Sequence, residues 1–451
     1  MTTLFPPRWL PITAFLMAAA LFTAGCAGDA TDDATTAAPS ADAPATIEPQ
    51  YIDEVDALAE APIVQQAFDE IMALEPRTQE ELIMLTEIPA PPFMEDERAA
   101  TYREMLQAAG ADSTWTDAEG NVLALRRGQS GGRTVALGAH LDTVFPEGTD
   151  VTVEARGDTL YAPGIGDDAR GLMVILTVLR ALEATDLQTE GDLLFIGTVG
   201  EEGLGDLRGV KHLFREGGPP IDSWIAVDGG GMGRIIHRAL GSHRYRVTMK
   251  GPGGHSWGAF GAGNPHHALG RAITHFTDAA DPFTQEGART SYNVGRMGGG
   301  TSVNSIPFES WMEVDMRSIS PERLDAIDVL FQDAMQRGLE EQNELTREGA
   351  PLTMDVEMIG DRPSGAIDPA TPLVQRAMAT TAYFDTEPSL GISSTDSNTP
   401  IAKGIPAVTI GRGGDGGGAH SLDEWWLNKD GHLAIQRALL LAVSEAGWAG
   451  S

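Results

Sequence analysis

Residues 134–143 read Thr134-Val135-Ala136-Leu137-Gly138-Ala139-His140-Leu141-Asp142-Thr143. An apolar run too short for a helix delivers a histidine and an aspartate into a polar loop. Residues two apart on a strand face the same way, so His140 and Asp142 share a side. The pattern recurs along the chain. Leu193–Thr198 leads into Val199-Gly200-Glu201-Glu202-Gly203, and Trp224–Val227 into Asp228-Gly229-Gly230-Gly231. Pro406–Ile410 leads towards Gly416-Gly417-Gly418-Ala419-His420-Ser421-Leu422-Asp423-Glu424-Trp425. Helical patterns such as Gly171–Leu182 alternate with these runs. Such alternation predicts an α/β fold with a mixed, mostly parallel sheet sandwiched by helices. Ligands of these sheets sit beyond the carboxyl ends of the strands, which is where the acidic and histidine motifs fall.

Ahead of these runs, Val64, Ala67, Phe68, Ile71 and Met72 recur at helical spacing after Pro62. Glu80–Ile88 predicts a separate helix ended by Pro89-Ala90-Pro91-Pro92, and Arg98–Ala109 a third. After Ser242 the grammar changes. His243–Lys250 and Ser310–Met316 alternate with period two, with helices near His266–Phe276 and Pro321–Glu340. An inserted α+β lobe of ferredoxin-like β-α-β-β-α-β order is therefore expected over residues 241–358. It divides a main lobe into residues 51–240 and 359–451.

The chain has 451 residues with 65 acidic and 31 basic side chains, a formal charge of −34. That balance excludes a nucleic-acid binder, which needs a basic footprint. A single cysteine excludes a disulfide framework and any Cys-based zinc module. Residues 1–25 read as an export signal: Arg8 precedes an apolar run, Trp9–Ala24, too short for a comfortable membrane span. The run ends in Thr23-Ala24-Gly25-Cys26, which resembles a bacterial lipoprotein processing site with Cys26 as the lipid-bearing residue. Residues 26–50 are expected to form a flexible tether. The expected location is thus outside the cytoplasm, anchored to a bacterial membrane (periplasmic or outer surface) only through lipid on Cys26.

Gly164-Ile165-Gly166-Asp167-Asp168-Ala169-Arg170-Gly171 adds two adjacent aspartates where a buried helix opens. Singly, these features have bland explanations: Asp caps helices well, and a glutamate pair can be solvated. Yet burying Glu201 beside Glu202 is costly unless a cation compensates. Together the motifs place two histidines and several carboxylates, without thiolate, at one sheet edge. That donor set suits a pair of divalent cations better than a structural zinc.

In their order, and with an insertion between the fourth and fifth, these motifs resemble the co-catalytic zinc exopeptidases that include peptidase T, carboxypeptidase G and the aminoacylases. The resemblance spans nearly everything from residue 65 to 447. It implies two divalent metal ions per subunit, zinc foremost, with cobalt or manganese compatible. His140 and Asp228 would hold one ion, Glu202 and His420 the other, with Asp167 bridging. Asp142 would orient His140, and Glu201 would be the general base. Counting back from Leu172-Met173-Val174 selects Asp167 over Asp168, and the bond between them is expected to be cis. The inserted lobe would be a lid and dimerisation domain of a homodimer. His255 of Gly253-Gly254-His255-Ser256 would reach an active site, while Asn304 and Arg317 would contact substrate.

The implied reaction is hydrolysis of amide bonds in short peptides or N-acyl amino acids by a hydroxide held between the two metals, with Glu201 carrying the proton to the leaving amine. His255 would donate to the oxyanion. In the resembled family, Asp at position 228 goes with aminopeptidases of the tripeptidase and dipeptidase kind, and Asp396 would add an acidic wall for a free α-amino group. Carboxypeptidase or N-acyl-amino-acid amidohydrolase is the alternative. Two readings of other classes stand beside it. Gly254-His255-Ser256-Trp257-Gly258 fits a nucleophile elbow, with Asp396 and His420 following in serine-hydrolase order, although the glycines after Ser256 make a poor helix. A non-catalytic peptide- or metal-binding lipoprotein on the same fold is the other.

Overall fold

The computed structural model describes residues 46–450. The expected signal, Cys26 and most of the expected tether lie outside the described residues. Residues 46–50 do not belong to a tether. Glu48 N donates to Gln375 Oε1 at 2.8 Å. Pro49, suited to a helix's first turn, opens the helix Pro49–Ala59, whose Tyr51, Val55, Leu58 and Ala59 are buried. One helix, Pro62–Thr86, replaces the two expected, with Pro76 inside it. Val64, Phe68 and Ile71 before the proline and Leu82 and Leu85 after it join the same core. Packing thus outweighs the hydrogen bond that proline cannot make.

A nine-stranded sheet organises the main lobe. Asp192–Thr198, Thr134–His140, Ser223–Val227 and Ala407–Ile410 lie side by side and parallel. Beyond the first residue of the first two, every position in these strands is buried. Alternate residues face opposite sides, so both faces are covered. Gly138 admits the Trp224 indole, whose ring would lie 2.4 Å from an added Cβ. In register, His140 stands opposite Thr198 and Val227 opposite Ile410. The loops that follow these strands therefore leave from one edge. The helix Gly171–Thr185, buried from Gly171 through Leu182, begins just below that edge.

The second lobe runs Gly241–Lys250, Pro265–Thr284, Thr290–Gly299, Glu309–Ser318, Pro321–Leu345 and Thr353–Arg362. Its strands form an antiparallel sheet in the order Thr290–Gly299, Glu309–Ser318, Gly241–Lys250, Thr353–Arg362. Asn264 and Ser320 cap the two helices through their side chains. Val247, Met249, Phe276, Met312 and Phe331 belong to a core separate from that of the main sheet. The last strand runs past the expected limit at 358: after a register shift between Met358 and Gly360 it pairs Asp361 with His243 and Arg362 with Ser242. The bulge interrupts the period-two pattern, so the strand's continuation is hidden in the sequence. After Ser256 the chain makes turns, and the next helix starts only at Pro265. The strand–Ser–helix context of a nucleophile elbow is not formed there.

Candidate metal centre

His140 ends its strand with the imidazole 2% exposed. Its Nδ1 lies 3.0 Å from the carbonyl oxygen of Asp142 and 3.8 Å from that residue's carboxylate. Asp142 thus meets the ring through its main chain. Its carboxylate instead accepts from Glu201 N at 3.0 Å and Glu202 N at 2.8 Å. One residue clamps the histidine loop to the glutamate loop. A carbonyl can only accept, so Nδ1 donates to it and Nε2 is the ring atom turned to the cluster. That Nε2 sits 3.1 Å from Asp167 Oδ1.

Asp167 lies at the centre. Its other oxygen, Oδ2, is 3.3 Å from His420 Nε2, which is also 2.9 Å from Glu202 Oε1. Potential ligand atoms of His140, Asp167 and Asp228 fall within 4.8 Å of one another, and so do those of Asp167, Glu202 and His420. The two triads share Asp167. A third group, His140, Glu201 and Glu202, meets the same limit. Asp168 is turned away: its carboxylate accepts from His140 N and Gly171 N. The Asp167–Asp168 bond is cis.

The electrostatics show what this cluster lacks. Burial alone would lower the pKa of His140, yet Asp167, Asp168 and Asp142 hold it well above the ordinary value. Hydrogen bonds to Asp167 and Glu202 push His420 up to about 10. Burial raises Glu201 well above the carboxylate range, Arg362 opposing and Glu202 reinforcing the shift. Burial and the charge of Asp167 raise Asp228. Asp396, buried, rises to about 6, with Thr198 opposing. Neighbouring carboxylates thus favour the protonated forms of His140 and His420, and burial those of Glu201, Asp228 and Asp396, whereas, against its burial, His140, His420 and Arg412 hold Asp167 well below its ordinary value. Divalent cations would displace those protons. The nitrogen-and-oxygen donors, with Nε2 of His140 turned to Asp167, fit them.

Three residues that sequence reasoning gave no role complete the surroundings. The buried Arg412 guanidinium stands 3.6 Å from Asp228, 3.7 Å from Asp167 and 3.9 Å from Asp168. Glu424, 1% exposed, accepts from the main-chain N–H of Gly164, Gly166 and Asp167 at 2.7, 3.0 and 2.8 Å. It ties the loop of His420 to the loop of Asp167. Arg362 reaches Glu201 from the second lobe. Glu424 was legible in principle, being an acid beside two tryptophans four places after His420.

The second-lobe candidates are not drawn into the cluster. His255 is exposed, and its Nδ1 accepts from Trp257 N and Gly258 N within its own turn. Asn304 neighbours it, since His255 pairs with Ser305 and Asn304 O accepts from Ser256 N at 2.9 Å. Arg317 donates to Asp315 at 2.7 Å, a carboxylate it shares with Arg244.

The sequence model of peptidase family M20/M25/M40 matches residues 136–444. The chain belongs to this family. It is accordingly a metallopeptidase or amidohydrolase by class. Uncharacterized protein YqjE of Bacillus subtilis (strain 168) is 27% identical over 270 residues, covering 56% of this chain and 70% of that protein. A tripeptidase from Staphylococcus aureus subsp. aureus Mu50 superposes with a TM-score of 0.67 at 22% identity, over 82% of this chain and 98% of its own. YxeP of Bacillus subtilis, described as a dinuclear metal-binding peptidase of family M20, gives a TM-score of 0.59 at 17% identity, over 83% and 99%. At these identities the two structures speak for the fold.

Proposed function

We propose that this chain is a two-metal exopeptidase that removes residues from the free amino end of short peptides. The observation that carries it is the pair of ligand triads sharing Asp167. His140 and Asp228 would hold one divalent cation, zinc foremost, and Glu202 and His420 the other. Bound there, such cations supply Lewis-acid polarisation of a carbonyl and a water of lowered pKa. The protein's own groups do the rest. Glu201 is the proton carrier: Arg362 occupies Oε1 at 3.2 Å, so Oε2 takes the proton of the attacking water and passes it to the leaving amine. Asp142 fixes the tautomer of His140 and the height of the Glu201–Glu202 loop. The short carboxylate of Asp228 leaves room for an α-amino group, which the buried acid of Asp396 attracts.

His255, Asn304 and Arg317 would serve the substrate from a second subunit of a homodimer or by closure of the second lobe as a lid. Arg244 and Arg317 share the single carboxylate of Asp315, so that group keeps a positive charge for a peptide's carboxyl end. Export and lipid anchoring at Cys26 complete the reading. Labelled fatty acid should enter the intact protein in cells and fail to enter Cys26→Ala.

The test is a panel of free, N-acetylated and C-amidated di- and tripeptides and N-acyl amino acids, with zinc, cobalt or manganese supplied. Free peptides should be cleaved, and N-acetylation should raise KM or abolish turnover. Faster cleavage of acetylated substrates would replace the aminopeptidase with an acylase.

A further inference from the structure

Arg362 is the last residue of an edge strand in the second lobe, paired with Ser242, yet its guanidinium works in the other lobe. Nη1 donates to Glu201 Oε1 at 3.2 Å and to Ser394 Oγ at 3.0 Å. Nη2 donates to the carbonyl oxygen of Glu201. One side chain therefore grips both the carboxylate and the main chain of one residue, and it is 5% exposed. The same two strands touch the loop twice more. Arg244 Nη1 donates to Gly203 O at 2.9 Å, and Asp361 N donates to Asp206 Oδ1 at 2.9 Å.

We propose that Arg362 is a positioning residue for Glu201, and that through it the second lobe's sheet sets the geometry of the proton carrier. The inference rests on reading Glu201 as that carrier. Three physical arguments support it. Arginine stays charged and presents a rigid fork that holds two acceptors at once, which lysine cannot copy. Glu201 is buried beside Glu202 and Asp396, so Arg362 is the counter-charge that keeps its carboxylate in place. With Oε1 engaged by Arg362 and the main-chain N–H held by Asp142, the rotamer of Glu201 is fixed from both lobes and Oε2 alone is left for the reaction. A small misplacement of a reacting group costs up to about 10²-fold in rate.

The experiment uses the full, metal-loaded chain with Arg362→Ala and Arg362→Lys, each alone and combined with Glu201→Gln. Arg362→Ala should lower kcat about 10–100-fold while KM, bound metal and Tm change little. Guanidinium ion added to the buffer should recover part of kcat, and Arg362→Lys should fall between. In the Glu201→Gln background Arg362→Ala should add no further loss, because both changes remove one function. Unchanged kcat in Arg362→Ala, or a loss that guanidinium does not relieve and that multiplies with Glu201→Gln, would overturn the proposal. Should Arg362→Ala fail to fold, the Arg362→Lys cycle decides by the same criteria. Normal turnover by Glu201→Gln would instead remove the premise, an outcome distinct from an inert Arg362.

Discussion

Where Thr134–His140 ends, the side chains around it are buried among like charges; along Glu309–Ser318 in the second lobe, Glu313 and Asp315 stand against bases. Asp315 accepts from Arg244 at 2.9 Å and Arg317 at 2.7 Å, and Glu313 meets Arg246 at 2.6 Å and Arg296 at 2.8 Å. These residues lie on a partly solvated sheet face, and such pairs contribute little individually. At the parallel sheet's edge, Asp142, Glu201 and Glu202 are at most 6% exposed, and the bases beside them are too few. Acids matched by bases within the chain need no cation. Buried carboxylates in excess call for a cation from outside. The contrast separates acids matched by the chain's own bases from acids that call for metal.

The strongest way to break the contrast is to change one shared carboxylate on each side. Asp167→Asn should empty both metal positions. Because groups that merely support a ligand cost about 10–100-fold in metal affinity, loss of the shared ligand should exceed that and abolish measurable turnover. Asp315→Asn should leave metal content, read by elemental analysis of the folded protein, unaltered. Next in size is Glu201→Gln, which should keep its metal and lose about 10²–10⁴-fold in kcat. Retained activity in the metallated variant would exclude Glu201 as the proton carrier.

A smaller change sharpens the comparison from the other side. Phe331 is fully buried, stacked on Tyr245 with centroids 5.1 Å apart and edge-on to Phe276 at 5.3 Å. Phe331→Ala should cost about 3–5 kcal/mol of stability in urea denaturation without lowering the metal bound per folded chain. The smallest effect concerns His243, 2.9 Å from Asp328. The hydrogen bond to Asp328 raises His243 above its ordinary 6.5. That contribution is complete below pH 6.5 and is lost as pH rises through the elevated value. Asp328 is lowered: burial opposes the shift, but His243, Gln332 and Tyr245 outweigh it. Its contribution is present above the ordinary 3.8 and is lost as pH falls through the depressed value. Asp328→Asn should therefore flatten the alkaline limb of stability against pH, read by urea denaturation, by about 0.2–1 kcal/mol.

Much of the site was legible because parallel strands buried on both faces appear as short apolar runs, and whatever follows each run must gather at one edge. His140, Glu202, Asp228 and His420 come together for that reason, and Asp167 joins them from the turn that opens the helix Gly171–Thr185. The partners that hold them were not legible. Arg362 acts on Glu201 across 161 positions of chain, and Glu424 on Gly164 across 260. No local spacing encodes such pairings. The continuous helix through Pro76 was missed because tertiary packing, not propensity, decides it. The true end of the last second-lobe strand was missed because a bulge breaks its alternation.

The central claim is that two cations share Asp167. Stripping the metal and titrating zinc back by calorimetry, with bound metal counted by native mass spectrometry, tests it most directly. The account predicts two ions per chain in the parent and one in His420→Ala, retained by His140, Asp167 and Asp228. A single ion in the parent, or two in His420→Ala, would contradict it.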